Sequence, residues 1–194
     1  MKRLVSVLLT ITLVLSCMFT LSGCSGQKYD LPEAPAGYRY FEGLDLAFAY
    51  PEDWVKSSLV ISTSMVSPDG KGNILVILSQ RMELENLDLE ELKEGIIVEM
   101  EEQDNMEVSN TFVRDGVSNN GLYYILVGFD SVMSGTDMEQ HLIYVSTDSY
   151  TYVITVTELA EGAESIDTEV ERNLVSTIIH SLYDKPTDVF SSFK

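Results

Sequence analysis

Apolar and polar residues alternate over several short stretches of the chain, and this period of two predicts β-strands. Residues 38–50 have the pattern of a half-buried hairpin. Residues 59–66 and 73–80 predict a second pair of strands, because the six residues between them are rich in Gly, Ser, Pro and Asp. Residues 107–159 predict four further strands in an antiparallel meander, since only short turn sequences interrupt them.

Two other stretches change to a helical period. Residues 87–103 place apolar side chains at helical spacing with glutamates on the other faces, and Asp88 is positioned to cap the first turn. Residues 165–182 carry a second apolar stripe, which is the expected cover for the apolar face of the last strand. Pro186 prevents this helix from continuing. Eight strands and two helices, with the strands clustered along the chain, predict an α+β fold rather than a parallel sheet.

The N-terminus has the pattern of an export signal. Basic residues precede an apolar run at residues 4–21, and the run ends in Leu21-Ser22-Gly23-Cys24. This tetrapeptide resembles the lipobox of bacterial lipoproteins, which implies removal of residues 1–23 and lipidation of Cys24. A transmembrane anchor and an ordinary secretory signal fit less well, because neither a basic stop-transfer cluster nor an Ala-x-Ala site follows.

A lipid at Cys24 would hold the protein on the extracytoplasmic face of the cell membrane without a spanning helix. Residues 24–37 are expected to form the lipidated end and a flexible tether, because Pro and Gly recur there among few apolar residues. Residues 38–183 are expected to form one folded domain, and residues 184–194 a polar tail.

The chain is strongly acidic, with 31 Asp and Glu residues against 12 Lys and Arg, and a formal net charge of −19. Loss of Lys2 and Arg3 with the signal would change this charge to −21. Such a charge excludes nucleic acid as an expected partner, because binding to phosphates depends on Lys and Arg. It favours cationic partners, or it simply keeps the protein soluble. The only cysteines are Cys17 and Cys24, so no thiol would remain for a disulfide, a nucleophile or a zinc site.

A second resemblance lies at residues 48–54, Phe-Ala-Tyr-Pro-Glu-Asp-Trp. This segment resembles the opening of PsbP-like domains, in which an apolar strand runs into Tyr-Pro-x-x-Trp, and the order of elements over residues 38–183 is similar as well. The resemblance implies an antiparallel β-sheet flanked by helices in an α/β/α sandwich, and a non-catalytic accessory or adaptor role. Trp54 is predicted to plug the core rather than stack on a ligand, because Pro51 ends the strand and turns the chain back toward the sheet.

Candidate catalytic chemistry is sparse. The chain has two histidines. His141 is predicted on a strand face with Ile143 and Val145, and His180 near a helix C-terminus, where a cation is favoured. No nucleophile or zinc-protease motif occurs, so no catalytic residue and no cofactor are predicted. An enzyme is the third hypothesis, which would need a carboxylate pair such as Glu158 with a second acid.

Acidic residues crowd the entries of both predicted helices. The first group is Glu83, Glu85, Asp88, Glu90, Glu91 and Glu94, and the second is Glu158, Glu161, Glu164, Asp167, Glu169 and Glu171. Hard cations such as calcium bind several such oxygens, but the helix dipole explains both groups equally well, so metal ligands stay unassigned. Tyrosines in the strands fit either core packing, which we favour, or sugar stacking: Tyr123, Tyr124, Tyr144, Tyr150 and Tyr152.

The leading hypothesis is therefore a membrane-anchored extracytoplasmic lipoprotein that acts as a non-catalytic interaction or accessory module of the cell envelope. Its expected partners are the membrane, through the lipid at Cys24, and an envelope protein that docks on one face or edge of the sheet. The alternative is a lipoprotein that binds a small ligand or a divalent cation such as calcium.

Overall fold

The computed structural model describes residues 31–59, 62–102, 106–159 and 168–185. The chain divides into two compact units, Met1–Pro32 and Glu33–Lys194, and every element described below belongs to the second. The predicted signal, the lipidation site at Cys24 and residues 186–194 of the tail predicted at 184–194 lie outside the described residues. Asp184 of that predicted tail belongs to a strand of the folded domain.

Ten strands, two α-helices and a short 3-10 helix make up the described part of the second unit. The strands are β1 Tyr38–Glu42, β2 Leu46–Pro51, β3 Val55–Ser58, β4 Ser62–Val66, β5 Gly72–Gln80, β6 Met106–Val117, β7 Tyr123–Met133, β8 Thr136–Ser146, β9 Tyr150–Leu159 and β10 Tyr183–Asp184. The helices are α1 Leu89–Glu101 and α2 Thr168–Ser181, and the 3-10 helix is Leu84–Asn86.

All strand pairs in these residues are antiparallel and form two sheets. The large sheet has the order β3-β4-β5-β9-β8-β7-β6, and the small sheet has the order β1-β2-β10. The predicted hairpin, the predicted strand pair and the predicted meander are confirmed. The first turn of the meander lies at Gly121, which has a φ of +85° that suits glycine. The short strands β3 and β10 were not predicted.

The first hydrophobic core lies between one face of the large sheet, the small sheet and α2. In β2, every residue from Leu46 to Tyr50 is buried. The amide of Ala49 donates to the Oγ of Ser181 at 2.8 Å, which ties the end of α2 to the small sheet. The large buried side chains here include Phe48, Met65, Ile74, Leu126, Ile143, Ile154, Ile178 and Leu182.

The second core lies on the opposite face of the large sheet, beneath α1 and the 3-10 helix. Its buried residues are Leu84, Ile96, Ile125, Val127, Phe129 and Leu142. The carboxylate of Asp88 accepts from the amides of Glu90 at 3.0 Å and Glu91 at 3.2 Å, which satisfies two amides that the helix leaves unbonded. The predicted cap of this helix is confirmed.

The α/β/α sandwich that the sequence predicted is wrong. The molecule is mostly antiparallel β-sheet, and one outer layer is the small sheet together with α2 rather than helices alone. The physical reason lies in β2, where Ala47 and Ala49 separate Leu46, Phe48 and Tyr50. Such a strand is apolar on both faces and lies inside a layer, so the hairpin forms as predicted but β2 is buried on both faces and not on one.

Trp54 plugs the first core as predicted, with 8% of its surface exposed. Its ring packs against Gly72, where an added Cβ would lie 2.7 Å from Cη2 of the indole. The guanidinium of Arg39 donates to the carbonyl of Trp54 at 2.7 Å and fixes the turn after β2.

In the described part of the chain, no helix has both the length and the apolar character needed to cross a membrane.

Candidate functional site

A groove of about 950 Å³ lies between α2 and strands β6, β7 and β8, on the face of the large sheet that carries α2. A volume of this size is typical of ligand and peptide sites. Its lining includes Phe112, Arg114, Tyr124, Glu139, His141, Val175, Ser176, Ile179 and His180.

The floor of the groove is an aromatic shelf across three strands. Phe112 of β6 pairs with Gly128 of β7, and Gly128 pairs with His141 of β8. Because Gly128 has no side chain, the two rings approach over it with their centroids 5.9 Å apart. An added Cβ at Gly128 would overlap the Phe112 ring and lie 3.0 Å from Cδ2 of His141. Phe112 is 39% exposed, so part of its apolar surface faces the groove.

The next row across the sheet is acidic. Asp130 of β7 pairs with Glu139 of β8, and Glu139 pairs with Glu158 of β9. Directly opposed residues of an antiparallel pair lie on the same face, where like charges repel. Burial raises the pKa of Glu158 to about 7, and the carboxylate of Glu139 acts in the same direction. Glu139 is therefore the second acid beside Glu158, which the sequence alone did not identify.

His141 joins the aromatic shelf to the acidic row. Its Nε2 lies 3.4 Å from Oε1 of Glu139. Burial lowers the pKa of His141, while the carboxylate of Glu139 partly opposes this effect and the guanidinium of Arg114 adds to it. That guanidinium lies 5.8 Å from the centroid of Phe112. The groove thus combines the guanidinium of Arg114, the carboxylate of Glu139, the imidazole of His141 and the partly exposed ring of Phe112.

The C-terminal half of α2 forms the other wall. Val175 and Ile179 are buried against the first core, while Ser176 and the exposed His180 face outward with Oγ and Nδ1 3.1 Å apart. Both histidines of the chain therefore line one groove. No local sequence pattern predicts this arrangement, because it depends on where α2 packs relative to the large sheet.

The acidic group at the entry of α1 does not form a cation site. Asp88 caps the helix, Glu90 pairs with Lys93, and Glu83 accepts from the amide nitrogen of Asn86 at 2.8 Å. Among the described side chains, no group of three or more His, Cys, Asp or Glu residues is placed to hold a metal ion. Of the second acidic group only Glu158 belongs to the described side chains.

The strand tyrosines pack rather than form an exposed row. Tyr123 and Tyr144 pack against the second core, and Tyr124 and Tyr150 against the first, while Tyr152 is buried within the first. The favoured interpretation of these residues as core and rim packing is confirmed. The hydroxyl of Tyr123 donates to the carboxylate of Asp115 at 2.6 Å, which together with burial raises the pKa of the phenol to about 12.

No protein-family model matches this chain, and no curated protein matches it in sequence. The Ran-binding protein Mog1p of Saccharomyces cerevisiae superposes with a TM-score of 0.55 at 10% identity, over 79% of this chain and 98% of that protein. A Mog1 mutant gives 0.54 at 10% identity, over 79% and 99%. LpqN of Mycobacterium tuberculosis, which is involved in cell envelope biogenesis, gives a TM-score of 0.45 at 14% identity, over 73% of this chain and 83% of that protein.

The resemblances to a lipobox and to PsbP-like domains stay predictions. At these identities the likeness to Mog1 shows the fold alone, and the chain has a β-rich, Mog1-like fold.

Proposed function

We propose that this protein is a membrane-anchored, extracytoplasmic lipoprotein that acts as a non-catalytic interaction module of the cell envelope. The observation that carries the proposal is the groove between α2 and the edge of the large sheet. It presents a partly exposed phenyl ring beside charged groups, which is the composition of a recognition surface.

The fold of the described domain supports a binding role. Mog1p, which has this fold, is a Ran-binding protein, so the architecture serves to recognise another protein in that case. A shared fold does not imply a shared partner. The partner here is an envelope protein that binds through the chemistry of the groove itself.

The anchor follows from the sequence. Leu-Ser-Gly-Cys at residues 21–24 makes Cys24 the site of lipidation, and the chain between Cys24 and the first strand at Tyr38 is the tether. Pro35 and Gly37 belong to a turn that is hydrogen-bonded to the domain, since their carbonyls accept from the amides of Tyr38 and Glu52. The ten residues 25–34 reach up to about 33 Å when extended, so the groove is free to meet a partner away from the lipid surface.

The test is chemical crosslinking in cells that produce the full-length protein, with the Cys24→Ser form as the matched control. We expect a crosslinked partner that the native protein retains, that Cys24→Ser loses, and that Phe112→Ala weakens at unchanged protein level. Labelling with a palmitate analogue checks the anchor separately. Unlabelled native protein would contradict the lipid anchor, and the absence of any crosslinked partner would contradict the interaction role.

The volume of the groove favours a second candidate, the binding of a small ligand. This candidate predicts that a soluble envelope metabolite raises the melting temperature of the native protein and not that of Phe112→Ala. If the ligand is calcium, millimolar calcium should raise the melting temperature more than sodium chloride does at the same ionic strength.

A further inference from the structure

The outer edge of β6 borders the groove and has no strand partner in the described part of the chain. β6 is the terminal strand of the large sheet, and within the described residues it pairs with β7 alone. It is 12 residues long, which is long for a strand at an edge. A terminal strand leaves alternate main-chain N–H and C=O groups unpaired, and these groups can pair with an added strand.

The hairpin between β6 and β7 fixes which groups face outward. The amide of Ser118 donates to the carbonyl of Leu122 at 2.8 Å at the end of the ladder. Opposed residues of an antiparallel pair alternate between those that exchange two hydrogen bonds and those that exchange none. Counted from this pair, the residues that direct their amide and carbonyl away from β7 are Val113, Asp115 and Val117.

The two halves of β6 differ in regularity. The pairing with β7 shifts register between Ser109 and Phe112, and Asn110 has a φ of +50°. Such a bulge twists an edge and makes it a poor template. From Phe112 to Val117 the pairing is continuous, so this half presents a regular edge about 20 Å long.

The surroundings of this half specify a cationic occupant. Side chains of an added strand would alternate between the groove, where they lie beside Phe112 and Arg114 of β6, and the face of α1, where they lie beside Asp115. The nearest carboxylate therefore lies on the face of α1, while the groove offers the apolar ring of Phe112. The chain as a whole carries a net charge of −19, which opposes a second copy of itself and any other polyanion on this edge.

We propose that the edge of β6 from Phe112 to Val117 is the docking site for an extended basic segment of a partner protein, which adds to the sheet as a further strand, with apolar side chains over Phe112 in the groove and lysine or arginine side chains beside Asp115 on the face of α1. The inference rests on the proposed function, since it names the chemistry of the partner and the edge on which it docks.

The first experiment separates failure of this inference from failure of the proposed function. A photocrosslinking residue replaces Val117 on the β6 edge, or Val55 on β3 at the opposite edge, in the full-length protein in cells. Both positions are well exposed, at 65% and 67%. We expect a partner adduct from Val117→p-benzoylphenylalanine and none from the Val55 variant. An adduct at Val55 alone, or no adduct at either position while the native protein still yields its crosslinked partner, would overturn the β6 site and retain the proposed function. No adduct at either position and no crosslinked partner of the native protein would contradict both.

The second experiment tests strand addition with a defined probe. The probe is a capped, fluorescent octapeptide of alternating valine and lysine, titrated against the mature protein and followed by anisotropy. Its controls replace lysine by glutamate, or carry N-methyl groups on alternate amides. We expect the lysine peptide to bind, and the other two to bind at least about fivefold more weakly, because one loses the charge and the other its main-chain donors.

A matched pair of variants isolates the main chain of β6. Asp115→Ala removes a carboxylate that is also bonded to Tyr123, and Asp115→Pro removes in addition an outward amide, which an edge strand tolerates. We expect Asp115→Pro to bind the lysine peptide about fivefold more weakly than Asp115→Ala, with equal Trp54 emission as the check on folding. Strand addition would be overturned if the two variants bound the lysine peptide equally tightly, or if the N-methylated peptide bound the native protein as tightly as the lysine peptide does. Equal binding of the lysine and glutamate peptides would overturn the basic partner, and a concentration-dependent dimer that Asp115→Pro abolishes would assign the edge to a second copy.

Discussion

The hydroxyl of Tyr152 donates a 2.7 Å hydrogen bond to the carboxyl of Asp45, which is only 2% exposed. The other carboxyl oxygen accepts from the hydroxyl of Thr147 at 2.6 Å. Asp45 lies in the turn between β1 and β2 of the small sheet, while Tyr152 lies in β9 of the large sheet. The carbonyl of Asp45 also accepts from the amide of Lys185, directly after β10. These bonds hold the two sheets together at one end of the core.

The first prediction concerns this junction. Tyr152→Phe is expected to lower the free energy of unfolding by about 2 kcal/mol, because a buried carboxyl loses one of its two hydroxyl donors. Urea denaturation measures the loss. Asp45→Asn and the double variant complete a cycle, in which we expect a coupling of at least about 1 kcal/mol. Strictly additive effects would show that the two side chains do not stabilise each other.

The second prediction concerns Gly128 in the floor of the groove. Gly128→Ala is expected to lower the free energy of unfolding by about 1 kcal/mol, because the added methyl group displaces the ring of Phe112. Phe112 is partly exposed and can move, so the double variant Gly128→Ala with Phe112→Ala should recover most of the loss. The matched control is Gly95→Ala in α1, where an added Cβ meets nothing within 4 Å and is expected to stabilise the helix by about 0.5 to 1 kcal/mol.

Local pattern was enough for the elements with a regular period. The alternation in β9 and the helical spacing around Ile96 are properties of neighbouring residues, and each was assigned correctly from the sequence. β3 was missed because all four of its residues, Val55–Ser58, are exposed and carry no period of burial. β10 was missed because two residues are too few to show a period.

The layers and the groove depend on contacts between distant segments, and no local pattern contains them. Whether β2 or a helix fills the layer beneath the large sheet is decided by packing of Leu46 to Tyr50 against α2. In the same way, the local pattern predicts His141 on a strand face and His180 near a helix C-terminus, with no relation between them. They line one groove because α2 packs on β2 and lies across a groove from β6, β7 and β8, and no local pattern predicts that placement.

The third prediction is a pH dependence of stability that comes from Glu158. Its pKa in the folded protein is about 7, above the ordinary value of 4.5, so the folded state binds this proton more tightly than the unfolded chain. The contribution to stability is complete below pH 4.5 and is lost as the pH rises through 7. Replacement by glutamine keeps the neutral form at every pH. We therefore expect Glu158→Gln to match the native protein near pH 4.5 and to exceed it by about 1 to 2 kcal/mol above pH 8, because the carboxyl retains some contact with water.

Urea denaturation at several pH values measures this difference. Glu139→Gln is the matched variant, because it removes the neighbouring carboxylate but leaves Glu158 buried, and it should reduce the pH dependence only in part. His141 has a lowered pKa, so its own contribution is lost as the pH falls and acts in the opposite direction. A difference between Glu158→Gln and the native protein that does not change with pH would contradict the assignment.

The last prediction compares two glycines that each face an aromatic ring. At Gly72 an added Cβ would lie 2.7 Å and 2.9 Å from two carbon atoms of the Trp54 ring. Unlike Phe112, Trp54 is 8% exposed and packed among core residues, so it can yield only by disturbing the core. We therefore expect Gly72→Ala to cost about 2 to 3 kcal/mol, more than Gly128→Ala, and to shift the emission of the single tryptophan to longer wavelength. Denaturation and fluorescence on the same samples provide both readouts. A cost at Gly72 equal to or below that at Gly128 would mean that ring exposure does not govern how this fold accommodates an added methyl group.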